Sequence, residues 1–410
     1  MEQVFSINKA AEILNISKET LRRWDNEGKL KSTRNPINNY REYKKEDLLI
    51  FENGQMYFGL NEHQQVKPTN KYKSIELFAG AGGLALGLEK AGITHTMLNE
   101  IDKNAVATLK KNRPNWKVEH GDISEIDFTP YKDKIDLLTG GFPCQAFSYA
   151  GKRRGFEDTR GTLFYEFARA LKETNAPVFI IENVKGLRSH DKGKTLETMI
   201  DVLTNELDYH VFEPKVLKAI HYRVPQKRER LIIVGIRKEF KDKVEYNYPE
   251  PYDKIYTLKD ALKKGELFDT DVEISGGQLY PTRKKEILDL VPPGEYWRSL
   301  PIEIQKEYMQ KSFYLGGGKT GMARRISWDE PSLTLTCSPA QKQTERCHPD
   351  ETRPFQVREY ARIQTFPDDW MFEGSLSQQY KQIGNAVPVN LAEEIGYSIV
   401  KLLNDISNLY

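Results

Sequence analysis

From residue 73 onward the chain alternates short apolar runs with longer stretches in which apolar residues recur every three to four positions. The runs at 74–78, 94–99, 135–139, 178–181 and 231–236 predict strands, and the spans between them predict helices. Strands and helices in alternation build a doubly wound α/β sheet with helices on both faces. Between residues 238 and 350 the alternation fails, broken by Pro249, Pro251, Gly276, Gly277, Pro292, Pro293 and the triplet Gly316, Gly317 and Gly318. A second, irregular domain is expected there. Ahead of the sheet, Ser6 and Ser17 stand where N-caps belong for two short helices, one over 7–14 and one ending before Gly28. Across a tight turn these make a helix-turn-helix with Ala10, Ala11, Leu14, Ile16, Leu21 and Trp24 as its core, leaving Lys18, Arg22 and Arg23 outward. Residues 29–43 predict a β-ribbon wing, a further helix begins near Lys45, and residues 53–71 read as a linker.

Composition changes this picture little. A chain of 410 residues with 39% hydrophobic content can bury one large core and one or two smaller ones. Its 61 basic and 59 acidic residues leave a formal charge of +2, so any nucleic-acid binding must come from local arrangement. Residues 17–34 offer one such arrangement, with six Lys or Arg against three acids. The three cysteines, Cys144, Cys337 and Cys347, suit neither a disulfide framework nor a four-ligand metal site, and the Cys347-His348 pair does not amount to one. No metal is expected. Without a long apolar leader or an apolar stretch of about 20 residues, the expectation is a soluble cytoplasmic protein.

Two loops carry candidate chemistry. The segment FAGAGG follows the first predicted strand and opens a helix, so Gly80, Gly82 and Gly83 let backbone amides approach a ligand. Glu100, at the end of the next strand, can accept both hydroxyls of a ribose, and Asp122 can accept from an adenine amino group. These features alone suit a nicotinamide dinucleotide as well as S-adenosylmethionine (SAM). The second loop, GFPCQAFS, places Cys144 at the carboxyl end of a strand, stiffened by Pro143, where open α/β sheets keep their ligands. Glu182, in the segment ENV, ends the strand after it.

Five blocks then stand in order: FAGAGG, GFPCQAFS, ENV, QKRERLIIVG and QIGNAVPVN. They resemble the signature blocks of bacterial DNA (cytosine-5)-methyltransferases over nearly everything from residue 73 onward. The pattern INKAAEILNISKETLRRWDNEGKL followed by YREY resembles the MerR and excisionase type of winged helix-turn-helix. The resemblance implies a Rossmann-like, SAM-dependent methyltransferase sheet, with S-adenosylhomocysteine as by-product. It also implies that Cys144 is the nucleophile, that Glu182 holds the target base and that Arg228 and Arg230 orient the catalytic loop and base. The implied cofactor residues are Phe78, Gly80, Gly82, Gly83, Glu100, Ile101, Asp122, Ile123, Leu163, Asn385 and Val387. Ile101 stands where the family often has an aromatic residue. The chemistry gives a reason for the thiolate. Sulfur adding to carbon 6 of cytosine makes carbon 5 enamine-like and able to attack a sulfonium methyl, and a carboxylic acid at ring nitrogen 3 assists the addition.

A thiolate cannot reach a stacked base, so the cytosine must flip out of duplex DNA. The loop with Gln145, Ser148, Arg153 and Arg160 is a candidate to close over it. Arg324, Arg325, Thr334, Leu335 and Gln341, with Lys342, Gln343 and Arg346, are candidates to read or flank the bases, and Lys18, Arg22 and Arg23 are candidates for DNA contact by the N-terminal unit. The expected division is a helix-turn-helix at 1–60, a linker at 61–72, a catalytic domain of 73–237 with 356–410, and a target-recognition domain at 238–355. A restriction-modification setting, with an endonuclease acting on the same site without a stable complex, is expected. Two rivals remain open: a transfer-RNA methyltransferase, and a transcriptional regulator whose methyltransferase part is secondary.

Overall fold

The computed structural model describes residues 4–14, 16–35, 39–51, 53–54, 65–143 and 162–410. The chain divides into two units, residues 1–64 with 250–254, and residues 65–249 with 255–410. In the first, β1 (Val4–Ser6), β2 (Thr33–Arg34) and β3 (Arg41–Lys44) form an antiparallel sheet in the order β1-β3-β2. The helices Ile7–Leu14 and Lys18–Asn26 lie where the capping serines place them: Ser6 Oγ accepts from Lys9 N at 3.3 Å and Ser17 Oγ from Thr20 N at 3.0 Å. Ala10, Ala11, Leu14 and Leu21 are buried with Tyr43 and Leu48, while Ile16 and Trp24 pack at the edge of that cluster. Asp25 accepts from Ser32 and from Arg41 Nε, at 2.6 Å in the latter case, tying the wing to the second helix. The strand Val4–Ser6 was not expected, because three residues are too few to show an alternation.

The second unit is built on an eight-stranded sheet. Its strands are β4 (Lys73–Leu77), β5 (Thr94–Glu100), β6 (Val118–His120), β7 (Leu137–Gly140), β8 (Val178–Val184), β9 (Tyr209–Val211), β10 (Lys215–Lys218) and β12 (Glu229–Arg237), and the short β11 (Gln226–Lys227) lies outside it. The order is β10-β12-β8-β7-β4-β5-β6, with β9 also pairing β12. The five predicted runs are its centre. They were legible because these strands are buried on both faces: Val178, Ile180, Ile232 and Val234 enter one apolar cluster, and Phe179, Ile181, Leu231 and Ile233 the opposite one. The strands β4 to β8 are parallel, and β12 runs antiparallel to β8. From β4 the chain proceeds outward to β5 and β6, then returns to β7 on the other side of β4. The crevice between β4 and β7 is therefore the topological switch point, where such sheets bind ligands.

The helix Val389–Ser407 returns to pack on the helix Gly83–Lys90. A Cβ on Gly87 would stand 2.4 Å from Ala392 Cβ, and one on Gly396 would stand 2.5 Å from Ala91 Cβ, so this contact requires both glycines. Residues 67–72 correct the linker expectation. Tyr72 is buried and its hydroxyl donates to Asn404 Oδ1 at 2.7 Å, while Asn404 Nδ2 donates to Lys67 O at 2.9 Å. The irregular stretch after residue 238 holds short helices and an apolar cluster of its own, including Leu288, Trp297, Tyr308 and Met322. The strand β13 (Ser332–Leu333) pairs in parallel with β11.

Candidate active site

The loop after β4 is shaped by backbone conformation. Phe78, Gly80 and Gly82 have φ of 58°, 55° and 84°, and a left-handed phenylalanine is uncommon enough to mark a functional turn. A Cβ on Gly83 would lie 2.2 Å from Val387 O, so glycine there lets the 385–387 segment close against the loop. Glu100 Oε2 accepts from Gly80 N and Oε1 from Asp102 N, each at 2.7 Å. A carboxylate offers about four lone-pair sites, so each oxygen keeps one for a further donor, the arrangement a vicinal diol needs. Asp122 accepts from Ser124 N at 2.9 Å and from Ser124 Oγ at 2.8 Å, and the backbone hydrogen bond leads the causes that hold its carboxyl below the usual range.

Phe78, Gly80, Gly83, Glu100, Ile101 and Asp122 line one cavity of about 730 Å³, and Ile123, Leu163, Asn385 and Val387 complete the same wall. Gly82 turns the backbone behind it, against Leu109 and Trp370. Pro143, Glu182 and Arg230 line the cavity too. Arg230 Nε lies 2.5 Å from Glu182 Oε1, and both side chains are nearly buried. A Cβ on Gly141 would approach Glu182 Oε2 to 2.8 Å, so the glycine before Phe142 leaves room for that carboxylate. Cys144, Gln145, Ser148, Arg153 and Arg160 lie outside the described residues.

Two residues here were passed over in the sequence. Asn183 Nδ2 donates to Phe142 O at 2.8 Å and so holds the backbone two residues before Cys144. Its place directly after Glu182 was the available signal. Glu76 also lines the cavity, and burial pushes its carboxyl up to about 8, with Glu182 adding to the rise.

Arg228 is buried, its guanidinium donating to Leu335 O at 3.1 Å and to Gly384 O at 2.7 Å. Beside it, Gln226 Oε1 accepts from Leu335 N at 2.9 Å and Gln226 Nε2 donates to Gln364 Oε1 at 2.9 Å. This buried network ties the 332–337 segment to the segment carrying Asn385. Leu335, expected beside DNA, has its side chain in the core. Arg325 is likewise corrected from base reader to internal strut, its guanidinium spent on Val291 O, Leu288 O, His348 O, Pro349 O and Thr352 Oγ1. Arg346 is buried and donates to Thr334 O, and Arg324 is held by Glu330 and Gly294 O. Gln341 and Gln343 are exposed and Thr334 is half-buried. On the first unit, Lys18, Arg22 and Arg23 are exposed, the arginines pairing loosely with Glu19 and Glu27.

The C-5 cytosine-specific DNA methylase family matches residues 72–401, and the MerR family of regulatory proteins matches residues 6–43. The Type II methyltransferase M.Eco47II of Escherichia coli is 65% identical over 408 residues, 99% of this chain and 98% of that relative. M.PspPI of Psychrobacter sp. strain TA137, also a Type II methyltransferase, is 60% identical over 402 residues, 98% and 96% of the two chains. The crystal structure of a protein encoded within an Escherichia coli prophage matches with a TM-score of 0.63 at 24% identity, over 82% of this chain and 100% of that one, a likeness of fold alone. No helix among the described residues is long and apolar enough to cross a membrane. With a match spanning residues 72–401 and relatives 60–65% identical over nearly the whole chain, the protein belongs to the C-5 cytosine-specific DNA methylase family and is a DNA (cytosine-5)-methyltransferase carrying a MerR-like helix-turn-helix unit.

Proposed function

We propose that the enzyme transfers a methyl group from SAM to carbon 5 of a cytosine flipped out of a specific duplex sequence, through a covalent Cys144 adduct. The observation that carries this reading is the single cavity in which the Glu182–Arg230 pair faces the glycine loop and Glu100. The donor set fits the cofactor: the two uncommitted acceptor positions of Glu100 suit a ribose, Asp122 suits an adenine amino group, and a volume of about 730 Å³ is ample. When bound, SAM supplies an electrophilic methyl group on a sulfonium. The Cys144 thiolate adds to carbon 6 as the carboxyl of Glu182 donates its proton to ring nitrogen 3, leaving a carboxylate that Arg230 holds. Once carbon 5 has taken the methyl group, its proton leaves to solvent, the electrons of that bond expel the Cys144 thiolate, and ring nitrogen 3 returns its proton to Glu182 as the aromatic ring is restored. Expressing the protein in a methylation-free host and mapping 5-methylcytosine across the genome tests the reading. One shared short motif is the expected result, and an unmodified genome contradicts it.

Replacing Glu100 by alanine removes the ribose acceptor and loosens the turn it holds through Gly80. The expected outcome is a KM for SAM raised about tenfold or more with a smaller change in KM for DNA. Steady-state kinetics with each substrate varied separately checks this.

The relatives' Type II names support a restriction-modification setting, with an endonuclease cutting the same unmethylated sequence. Residues 73–237 and 356–410 form the catalytic domain in this reading, and residues 238–355 the target-recognition domain, which reads bases through exposed side chains such as Gln341. The exposed basic face of the helix Lys18–Asn26 supports a second role, binding of an operator near the protein's own coding sequence. Removing residues 1–60 should leave methyl transfer within about twofold and abolish operator retention in a gel shift; operator binding that survives the truncation contradicts this role. The transfer-RNA rival is tested by comparing methyl transfer to duplex DNA and to transfer RNA.

A further inference from the structure

Val184, the last residue of β8, lines the cavity two residues beyond Glu182. The ten residues that follow, 185–194, contain Lys185, Arg188, Lys192 and Lys194 against one acid, Asp191, in a chain whose overall charge is only +2. All four basic residues are exposed. Lys185 is paired with Glu229 at 3.0 Å, whereas Arg188, Lys192 and Lys194 have no side-chain partner among the described residues.

The segment carrying them is anchored. Leu187 is buried in the cluster that also holds Met199, and the ring of His190 shares a 2.6 Å hydrogen bond with Thr195 Oγ1. Asp191, Lys192 and Gly193 are consecutively left-handed, with φ of 46°, 56° and 90°. Like charges this close in sequence repel one another, and a folded surface that presents three of them without partners is complementary to a polyanion.

We propose that residues 185–194 form a ledge for the DNA backbone at the mouth of the active site, with Arg188, Lys192 and Lys194 each meeting a phosphate beside the flipped cytosine. The proposal rests on duplex DNA entering at this cavity. Phosphate contacts carry no sequence information; they position the duplex and make its binding depend on salt. The ledge therefore supplies register at the catalytic side, while residues 238–355 supply the reading of bases.

The test replaces Arg188, Lys192 and Lys194 together by serine in the full chain. Binding to a short unmethylated duplex carrying the mapped motif is measured with S-adenosylhomocysteine across a range of KCl concentrations. Each phosphate contact contributes about 0.9 to the slope of log affinity against log salt, so between about 50 and 200 mM KCl the wild type should lose about fortyfold more affinity than the triple variant. The single variant Lys192→Ser should lower the slope by about one and guards against a folding defect in the triple variant. KM for SAM should stay at its wild-type value. An unchanged salt slope in a folded, active triple variant overturns the ledge. A wild-type protein that methylates no DNA overturns the underlying reading instead, and the two failures are distinguishable.

Discussion

Cys144→Ala should bring methyl transfer to background, a fall on the order of 10⁴-fold or more, while DNA and S-adenosylhomocysteine still bind. The size of the effect follows from the substrate. Carbon 5 of cytosine belongs to an aromatic ring and attacks no methyl donor unaided, so the addition of sulfur to carbon 6 creates the nucleophile that the second step needs. In the proposed mechanism neither Glu182 nor Arg230 can substitute for that bond, because both would act on the ring edge and not on carbon 6. A direct readout of the adduct is available with DNA carrying 5-fluorocytosine. Fluorine cannot leave as the proton does, so the carbon–sulfur bond should persist and the complex should survive denaturing electrophoresis. Methyl transfer remaining in the alanine variant, or a denaturation-resistant complex formed without Cys144, would sink the mechanism.

The second large effect is expected at Glu182. Glu182→Gln preserves shape and one hydrogen-bonding oxygen but cannot share a proton with ring nitrogen 3, so kcat should fall by about 10²- to 10⁴-fold, the range of general acid catalysis. The substitution also leaves Arg230, whose Nε lies 2.5 Å from the Glu182 carboxylate, facing a neutral amide in a nearly buried site. Some loss of thermal stability should accompany the loss of rate. KM for SAM should change little, because Glu100 ends β5 and Asp122 follows β6, away from the strand that carries Glu182. A variant with wild-type kcat would remove Glu182 from the reaction.

The parts legible in the sequence have a common physical cause. Strands β7, β8 and β12 are covered on both faces, and burial on both faces leaves a continuous apolar run that composition reveals. Ser6 and Ser17 were legible because an N-cap needs a short polar side chain at one fixed position. The glycine loop was readable because left-handed backbone at Gly80 and Gly82 admits few other residues.

What escaped was whatever depends on partners distant in sequence. Nothing about Arg325 as an arginine distinguishes a base reader from a strut buried among carbonyls, since the choice is made by Leu288, Val291 and His348. The acceptors that hold Arg228, at Leu335 and Gly384, are likewise set by tertiary folding alone. Residues 67–72 looked like linker by composition and are held by Asn404, on the far side of the chain order. Asn183 is an intermediate case, adjacent to a recognised acid but given a purpose only by the carbonyl of Phe142.

The close approach of Gly83 to the carbonyl of Val387 has a consequence for biosynthesis. The glycine loop is translated early, whereas the wall carrying Asn385 and Val387 leaves the ribosome only after residues 238–355 have been made. A nascent chain therefore has a complete helix-turn-helix long before it has an enclosed cofactor cavity. Ribosomes stalled short of residue 385 would display a MerR-like helix-turn-helix on a polypeptide whose cavity still lacks a side.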